Sequence, residues 1–247
     1  MDKVYPNQIE SISDIHDGAS VMMDGFGGPG GMAQELILAL RDRNVRDLTL
    51  ISNSAGVGTF GVPQGKRSVT HGILIENGQV KKMIASFPVG RSPSDPTPFE
   101  LAYRSSKIEL ELVPQGTLAE RIRIGGAGIA AFYTPTGVGT PVAEGKESKI
   151  IDDREYLLEH ALVADFAFIH AEIADTLGNL KYKGTSRNFN MAMATAANIT
   201  IVEADQIVEP GGLDPEIVAT PGIYVNRIVK RNQRSIYTEN ATSENDR

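Results

Sequence analysis

Apolar residues recur along this chain in two patterns, and the patterns take turns. Over residues 7–15, Ile9, Ile12 and Ile15 fall at helical spacing and stop at Asp17-Gly18, which predicts a short N-terminal helix. Residues 19–23 form an apolar run that enters a glycine cluster at 25–31. Residues 32–43 then place Met32, Leu36, Ala39 and Leu40 on one helical face. Near-continuous apolar runs at 48–52 and 80–87 predict strands, as does 108–113, where Glu109 and Glu111 alternate with Ile108, Leu110 and Leu112. Later buried strands are predicted at 166–170, 199–203 and 223–229, with an Ala- and Met-rich helix at 190–197.

Two stretches break this rhythm. Residues 57–78 mix Gly, Pro and basic side chains, and 92–98 hold three prolines, so both are predicted to loop over the surface as candidate lids. From Arg231 the chain is polar with no apolar period, which predicts one domain over 1–230 and a polar tail over 231–247. The alternation itself predicts an α/β fold of three layers, α/β/α, with helices on both faces of a mainly parallel sheet. Such sheets bind ligands outside the carboxyl ends of their strands, so the turns after strands carry the candidate chemistry.

Composition narrows the choice of function. The 247 residues are 41% hydrophobic and 22% charged, enough for one large core. No apolar run approaches the roughly 18 residues of a membrane span, and the opening MDKVYPNQIE lacks a secretory layout, so a cytoplasmic location without a membrane partner is expected. The absence of cysteine removes disulfides, thiolate nucleophiles, Fe–S clusters and cysteine-ligated zinc together. A net charge of −7, with 24 scattered Lys and Arg, argues against a nucleic-acid partner.

Gly25-Phe26-Gly27-Gly28-Pro29-Gly30 matches G-x-G-x-x-G between a predicted strand and helix, where free backbone N–H groups and the helix dipole suit a phosphate. A dinucleotide site also wants an acid at the end of the next strand, but that strand ends in Ser52-Asn53; a plain tight turn also explains the glycines. After 108–113 come Pro114-Gln115-Gly116, then Thr117 and Glu120 at capping-box spacing, which predicts Gln115 on the strand edge facing the crevice. An amide there can donate to a carbonyl oxygen as charge develops on it; the alternative is a turn glutamine bonded to its own loop.

Residues 125–140, GGAGIAAFYTPTGVGT, are too rich in Gly, Pro and Thr for a helix. They either let backbone approach a ligand or make a rigid connection anchored by Phe132 and Tyr133. Residues 184–190 offer hydroxyls, Arg187 and two amides, as site groups or as an N-cap with a surface arginine. His16, His71, His160 and His170 show no metal-ligand spacing and no G-x-S-x-G to serve, so no metal site is expected.

Taken in order, Asp17-Gly18, the glycine loop, DLTLISNSAG at 47–56, VPQGTLAE at 113–120, FYTPTGVGT at 132–140, GNL at 178–180, RNFN at 187–190 and TPGI at 220–223 span almost the whole chain. This set resembles the A (α) subunit of the family I CoA-transferases, the 3-oxoacid CoA-transferase group. So many ordered matches are specific where one glycine motif is not. The resemblance implies the CoA-transferase type of three-layer fold and half of an enzyme. The nucleophilic glutamate of the ping-pong reaction lies in a Ser-Glu-Asn-Gly motif of the B (β) subunit, the expected partner in a heterodimer or α2β2 heterotetramer. Ile75-Glu76-Asn77-Gly78, read as an Asn-Gly hairpin or turn before 80–87, and Ser243-Glu244-Asn245-Asp246, in the polar tail, imitate that motif by coincidence.

On this resemblance no residue of the chain is a catalytic nucleophile, and Gln115 supports the partner's glutamate. The CoA and substrate site comprises Asp24, Gly25, Phe26, Gly27, Gly28, Pro29, Gly30, Asn53 and Gln115. Coenzyme A enters as a thioester substrate rather than a bound cofactor, alongside small carboxylic acids. Asp24 departs from the family's Gly-Gly-Phe, the turn at Gly30-Gly31-Met32 carries an extra residue, and 57–78 is longer than usual, which bears on the acyl pocket. Asp24 is therefore expected to bond to loop amides rather than face an incoming anion. The alternatives are a CoA-thioester hydrolase or lyase on the same scaffold, and a non-catalytic CoA-binding subunit.

Overall fold

The alternation read from the sequence becomes one parallel sheet wound in two directions from its middle. The computed structural model describes residues 3–24, 26, 31–56, 66–90, 92–94, 96–232 and 237–239. Its strands are β1 (Ser20–Met23), β2 (Leu48–Ser54), β3 (Lys66–Ser68), β4 (Val80–Phe87), β5 (Glu109–Leu112), β6 (Ala131–Thr134), β7 (Ser148–Ile151), β8 (Arg154–His160), β9 (Ala164–Asp175), β10 (Leu180–Lys181), β11 (Ala197–Val208), β12 (Arg227–Lys230) and β13 (Tyr237–Glu239). The α-helices are α1 (Gln8–Ser11), α2 (Gln34–Arg43), α3 (Gly72–Glu76), α4 (Pro98–Arg104), α5 (Gln115–Gly126) and α6 (Asn190–Thr195). The order β12-β11-β9-β1-β2-β4-β5 is parallel throughout, and β10 adds antiparallel to β9.

From β1 the chain moves outward through β2, β4 and β5, then crosses back to build β9, β11 and β12 on the other flank. The side-chain period of two splits the interior into two cores. Val21, Leu50, Met83, Phe166, Phe168 and Ile201 face one core with Leu36, Leu40, Leu74 and Phe99 from α2, α3 and α4. Met22, Ile51, Ile84, Ala167, Ile169 and Val202 face the other with Leu118, Ile122 and Met193 from α5 and α6. Three layers follow, and the point where the winding reverses lies between β1 and β9, where open α/β sheets place their ligands.

Several expectations change here. The N-terminal helix is the four residues of α1, and Ile12 and Ile15 reach the core from the turns after it. Gln115 is not on a strand edge: α5 begins with it, because Pro114, at φ −55° and ψ 139°, already serves as N-cap. Thr117 is thereby inside the first turn, and Thr117-Glu120 is not a capping box. The box that does form joins Thr97 and Glu100 at α4, which starts on Pro98, the last residue of the expected 92–98 loop.

Of the expected surface loop over 57–78, residues 57–65 lie outside the described residues, and the remainder includes β3 and the buried helix α3. Asn77-Gly78 ends that helix instead of turning a hairpin, since β4 pairs in parallel with β2. Residues 125–140 are more regular than expected: Gly125 and Gly126 close α5, and β6 joins β8 and β7 in a separate antiparallel sheet. The run expected as a strand over 223–229 is one only from Arg227, and Ile223 is 82% exposed. Past Lys230, Arg231 is buried and β13 pairs with β3, while residues 240–247 lie outside the described set.

Candidate active site

β1, β2 and β5 deliver their carboxyl ends to one edge of the sheet. Register pairs Met22 with Ile51, so Asp24 and Asn53, two residues further on, continue the same row toward the side covered by α5. Asn53 is buried, and its Oδ1 accepts a hydrogen bond from Gln115 Nε2 at 2.7 Å. The amide of Gln115 is therefore held over the end of β2 by a side chain, while the residue itself opens the first turn of α5 and remains exposed.

The strand end beneath it is fixed from the opposite core. His71 is fully buried and its Nε2 donates to Ser54 O at 2.8 Å, which leaves Nδ1 without its proton. Burial pushes the imidazole down from 6.5 to about 4, with the Ser54 contact opposing.

Asp24 is buried and its Oδ1 accepts the Phe26 N–H at 2.9 Å, so its charge faces a loop amide. Asn188, just before α6, and Asn190, its first residue, grip the borders of the glycine loop. Asn188 Nδ2 donates to Phe26 O at 3.2 Å, and Asn190 Nδ2 donates to Gly31 O at 3.0 Å and Ser186 O at 2.9 Å. Asn190 Oδ1 in turn accepts the His170 N–H at 3.1 Å. A Cβ on Gly31 would collide with Asn188 and with Asp24 Oδ2, so only glycine lets these side chains meet there. Asn188 sits at φ 22°, a strained value for a residue with a side chain.

Behind the loop, α2 starts against a buried carboxylate. Glu203 Oε2 accepts the Leu36 N–H at 2.9 Å, and Glu203 Oε1 lies 3.2 Å from Arg231 Nε. Burial raises the Glu203 carboxyl to about 8, against the opposing pull of Arg231 and of the α2 amides. Arg231 also donates to Gln34 Oε1 at 2.8 Å and contacts His170 Nε2 at 2.9 Å.

The structure thus brings Gln115, Asn53, Phe26 and Asp24 to one edge, whereas Gly25, Gly27, Gly28, Pro29 and Gly30 lie outside the described residues. Phe26, Gln115, Gly116, Ala119, Asn188, Phe189 and Ala192 line a cleft of about 350 Å³ between α5 and α6, with the Phe26 and Phe189 rings 6.3 Å apart. Phe189, Asn188 and Asn190 come from the RNFN string, which the sequence left as either site or cap. Phe189 is the N-cap of α6 and makes no side-chain capping bond; Asn188 Oδ1 accepts the N–H of Asn190 at the helix start at 3.2 Å, while the Nδ2 groups of both asparagines serve the loop.

The coenzyme A transferase family profile matches residues 5–231. The chain belongs to the coenzyme A transferase family. One relative, the A subunit of a probable succinyl-CoA:3-ketoacid coenzyme A transferase of Bacillus subtilis (strain 168), is 49% identical over 229 residues, covering 93% of this chain and 90% of its own. The A subunit of a 3-oxoadipate CoA-transferase of Pseudomonas putida is 48% identical over 93% of this chain and 94% of its own. In fold, this CoA-transferase chain superposes on an acyl-CoA transferase of E. coli O157:H7, solved as a thioester complex with CoA. The TM-score is 0.77 at 23% identity, covering 95% of this chain and 48% of that one. The present chain spans about half the length of that transferase. Among its described residues, no group of three or more His, Cys, Asp or Glu is placed to hold a metal ion, and no helix is long and apolar enough to cross a membrane.

Proposed function

We propose that this chain is the α subunit of a heteromeric CoA-transferase, moving CoA from succinyl-CoA or acetyl-CoA to a short 3-oxo acid, with its nucleophilic glutamate supplied by the β subunit. The observation that carries the reading is the Gln115 amide, pinned to Asn53 over a cleft whose described lining has no acidic side chain. An attacking carboxylate has to be held rigidly beside the thioester carbon. Asp24, the acid nearest the loop, is buried and engaged with the Phe26 amide. The names of the two relatives, each the A subunit of its enzyme, support the same division of labour.

In this reading a carboxylate oxygen of the β subunit attacks the acyl-CoA carbonyl, the C–S bond breaks, and CoA leaves as thiolate. The thiolate then attacks the glutamyl carbon of the mixed anhydride, releasing the first acid and leaving CoA on the enzyme as a thioester. The incoming acid repeats the two steps in reverse order and departs as its CoA ester. Gln115 donates to the oxyanion of the tetrahedral species, with Asn53 fixing which way its amide points. Asp24, Phe26 and the glycines at 25 and 27–30 shape the CoA approach.

The chain alone and the chain mixed with a β subunit are assayed for a new CoA thioester. Transfer by the mixture alone is the expected result, and robust transfer by the isolated chain defeats the reading; free CoA without a new thioester makes the enzyme a hydrolase. Gln115→Ala in the complex is expected to lower kcat by about 10²- to 10³-fold, as loss of one oxyanion donor does, with KM much less affected.

A further inference from the structure

The relatives' names differ in the acid they specify, and the cleft between α5 and α6 bears on that difference. Its described walls are Gly116 and Ala119 from α5, Ala192 from α6, and the rings of Phe26 and Phe189. The polar groups, Gln115 and Asn188, belong to the first turn of α5 and the segment before α6. No charged side chain is among the described lining residues. A volume of about 350 Å³ suits a small ligand, since such sites run from about 300 to 1,000 Å³. The cleft is open because residues at its helix-facing positions are small, and Ala119 and Ala192 are both half-buried, so a larger side chain at either place would grow into the cleft.

We infer that this cleft is the acyl-chain pocket: the reacting carbonyl lies at Gln115, the uncharged tail runs between α5 and α6, and Ala119 and Ala192 set how long a tail fits. The inference rests on the proposed function and adds to it a substrate class, 3-oxo acids with neutral alkyl tails. An apolar pocket discriminates weakly against one methylene more or less until the tail meets a wall, and beyond that point each excluded methylene costs about ten-fold or more in kcat/KM.

The experiment uses the complex of this chain with its β subunit and acetyl-CoA, whose acyl group is uncharged, as donor, comparing acetoacetate with 3-oxohexanoate. Ala119→Leu and Ala192→Leu are each expected to lower the 3-oxohexanoate to acetoacetate ratio of kcat/KM by about ten-fold. Ala192→Val, with a smaller step in volume, should lower it less, and it supplies the reading if a leucine variant does not assemble. Ratios unchanged in all variants that transfer CoA overturn the pocket and leave the proposed function standing. A wild-type complex that transfers CoA to neither acid overturns the proposed function, and the pocket assignment with it.

Discussion

His71 shows how a residue outside the site controls one inside it. Its ring bonds to the carbonyl of Ser54, next to Asn53, and it is buried on the side of the sheet opposite α5. With the folded pKa near 4 and the free value at 6.5, the unfolded chain binds a proton that the folded chain refuses between those limits. Stability is therefore full above about pH 6.5 and falls as pH drops toward about 4, by about 3 kcal/mol from this group. Urea midpoints measured at pH 7 and pH 4.5 should show the fall, and His71→Gln, whose amide can still reach Ser54, should flatten it. An equally steep profile in the variant would remove His71 as the cause. The sequence led to Asn53 and Gln115 because they sit in strings that match a family in order. It left His71 as structural or surface, and Asn188 and Asn190 as either site groups or a cap, because a buried polar group bonded to backbone leaves no periodic mark in the sequence.

At the scale of elements, the long strands and the helices between them were legible, since a buried parallel strand is a continuous apolar run and a covering helix has an apolar face. The β6-β8-β7 sheet was not foreseen. The strands β7 and β8 read SKII and REYLLEH, mostly exposed and polar, so neither period stands out. Glycines were also misleading where they serve the chain's own packing. A Cβ on Gly126 would overlap the Thr195 side chain, so this glycine lets α5 close against the end of α6. Gly126→Val is expected to force the two helices apart and cost about 1–3 kcal/mol, read as a lower urea midpoint with an unchanged slope. An unaltered midpoint would mean that the helix pair tolerates the added bulk.

Over the whole molecule, the α/β/α class followed from alternation alone, but the strand order did not, because nothing local states on which side of β1 the chain returns after β5. Arg231 was assigned to a polar tail for a related reason: its partners, Glu203 and Gln34, are 28 and 197 residues away along the chain and meet it only once β11 and α2 are packed. The raised Glu203 pKa means that the folded state holds a proton longer than the unfolded one, so this group withdraws stability as pH rises and stops near pH 8. Arg231→Met removes the charge that restrains the shift. Its stability should keep falling above about pH 8, by about 1.4 kcal/mol per unit, where the wild type has levelled. Chemical denaturation at pH 7, 8 and 9 checks this, and parallel profiles would show that Arg231 does not govern the carboxyl.

The same carboxylate has a consequence for whatever docks at the glycine turn. Every amide at the start of α2 is already engaged: Gln34 by Met32 O, Glu35 and Leu36 by Glu203, and Ile37 by Ala33 O. A phosphate arriving there finds no vacant N–H at the start of this helix, since acceptors of the chain itself already hold them. The cations that offset a nucleotide tail have to be recruited from groups other than this helix.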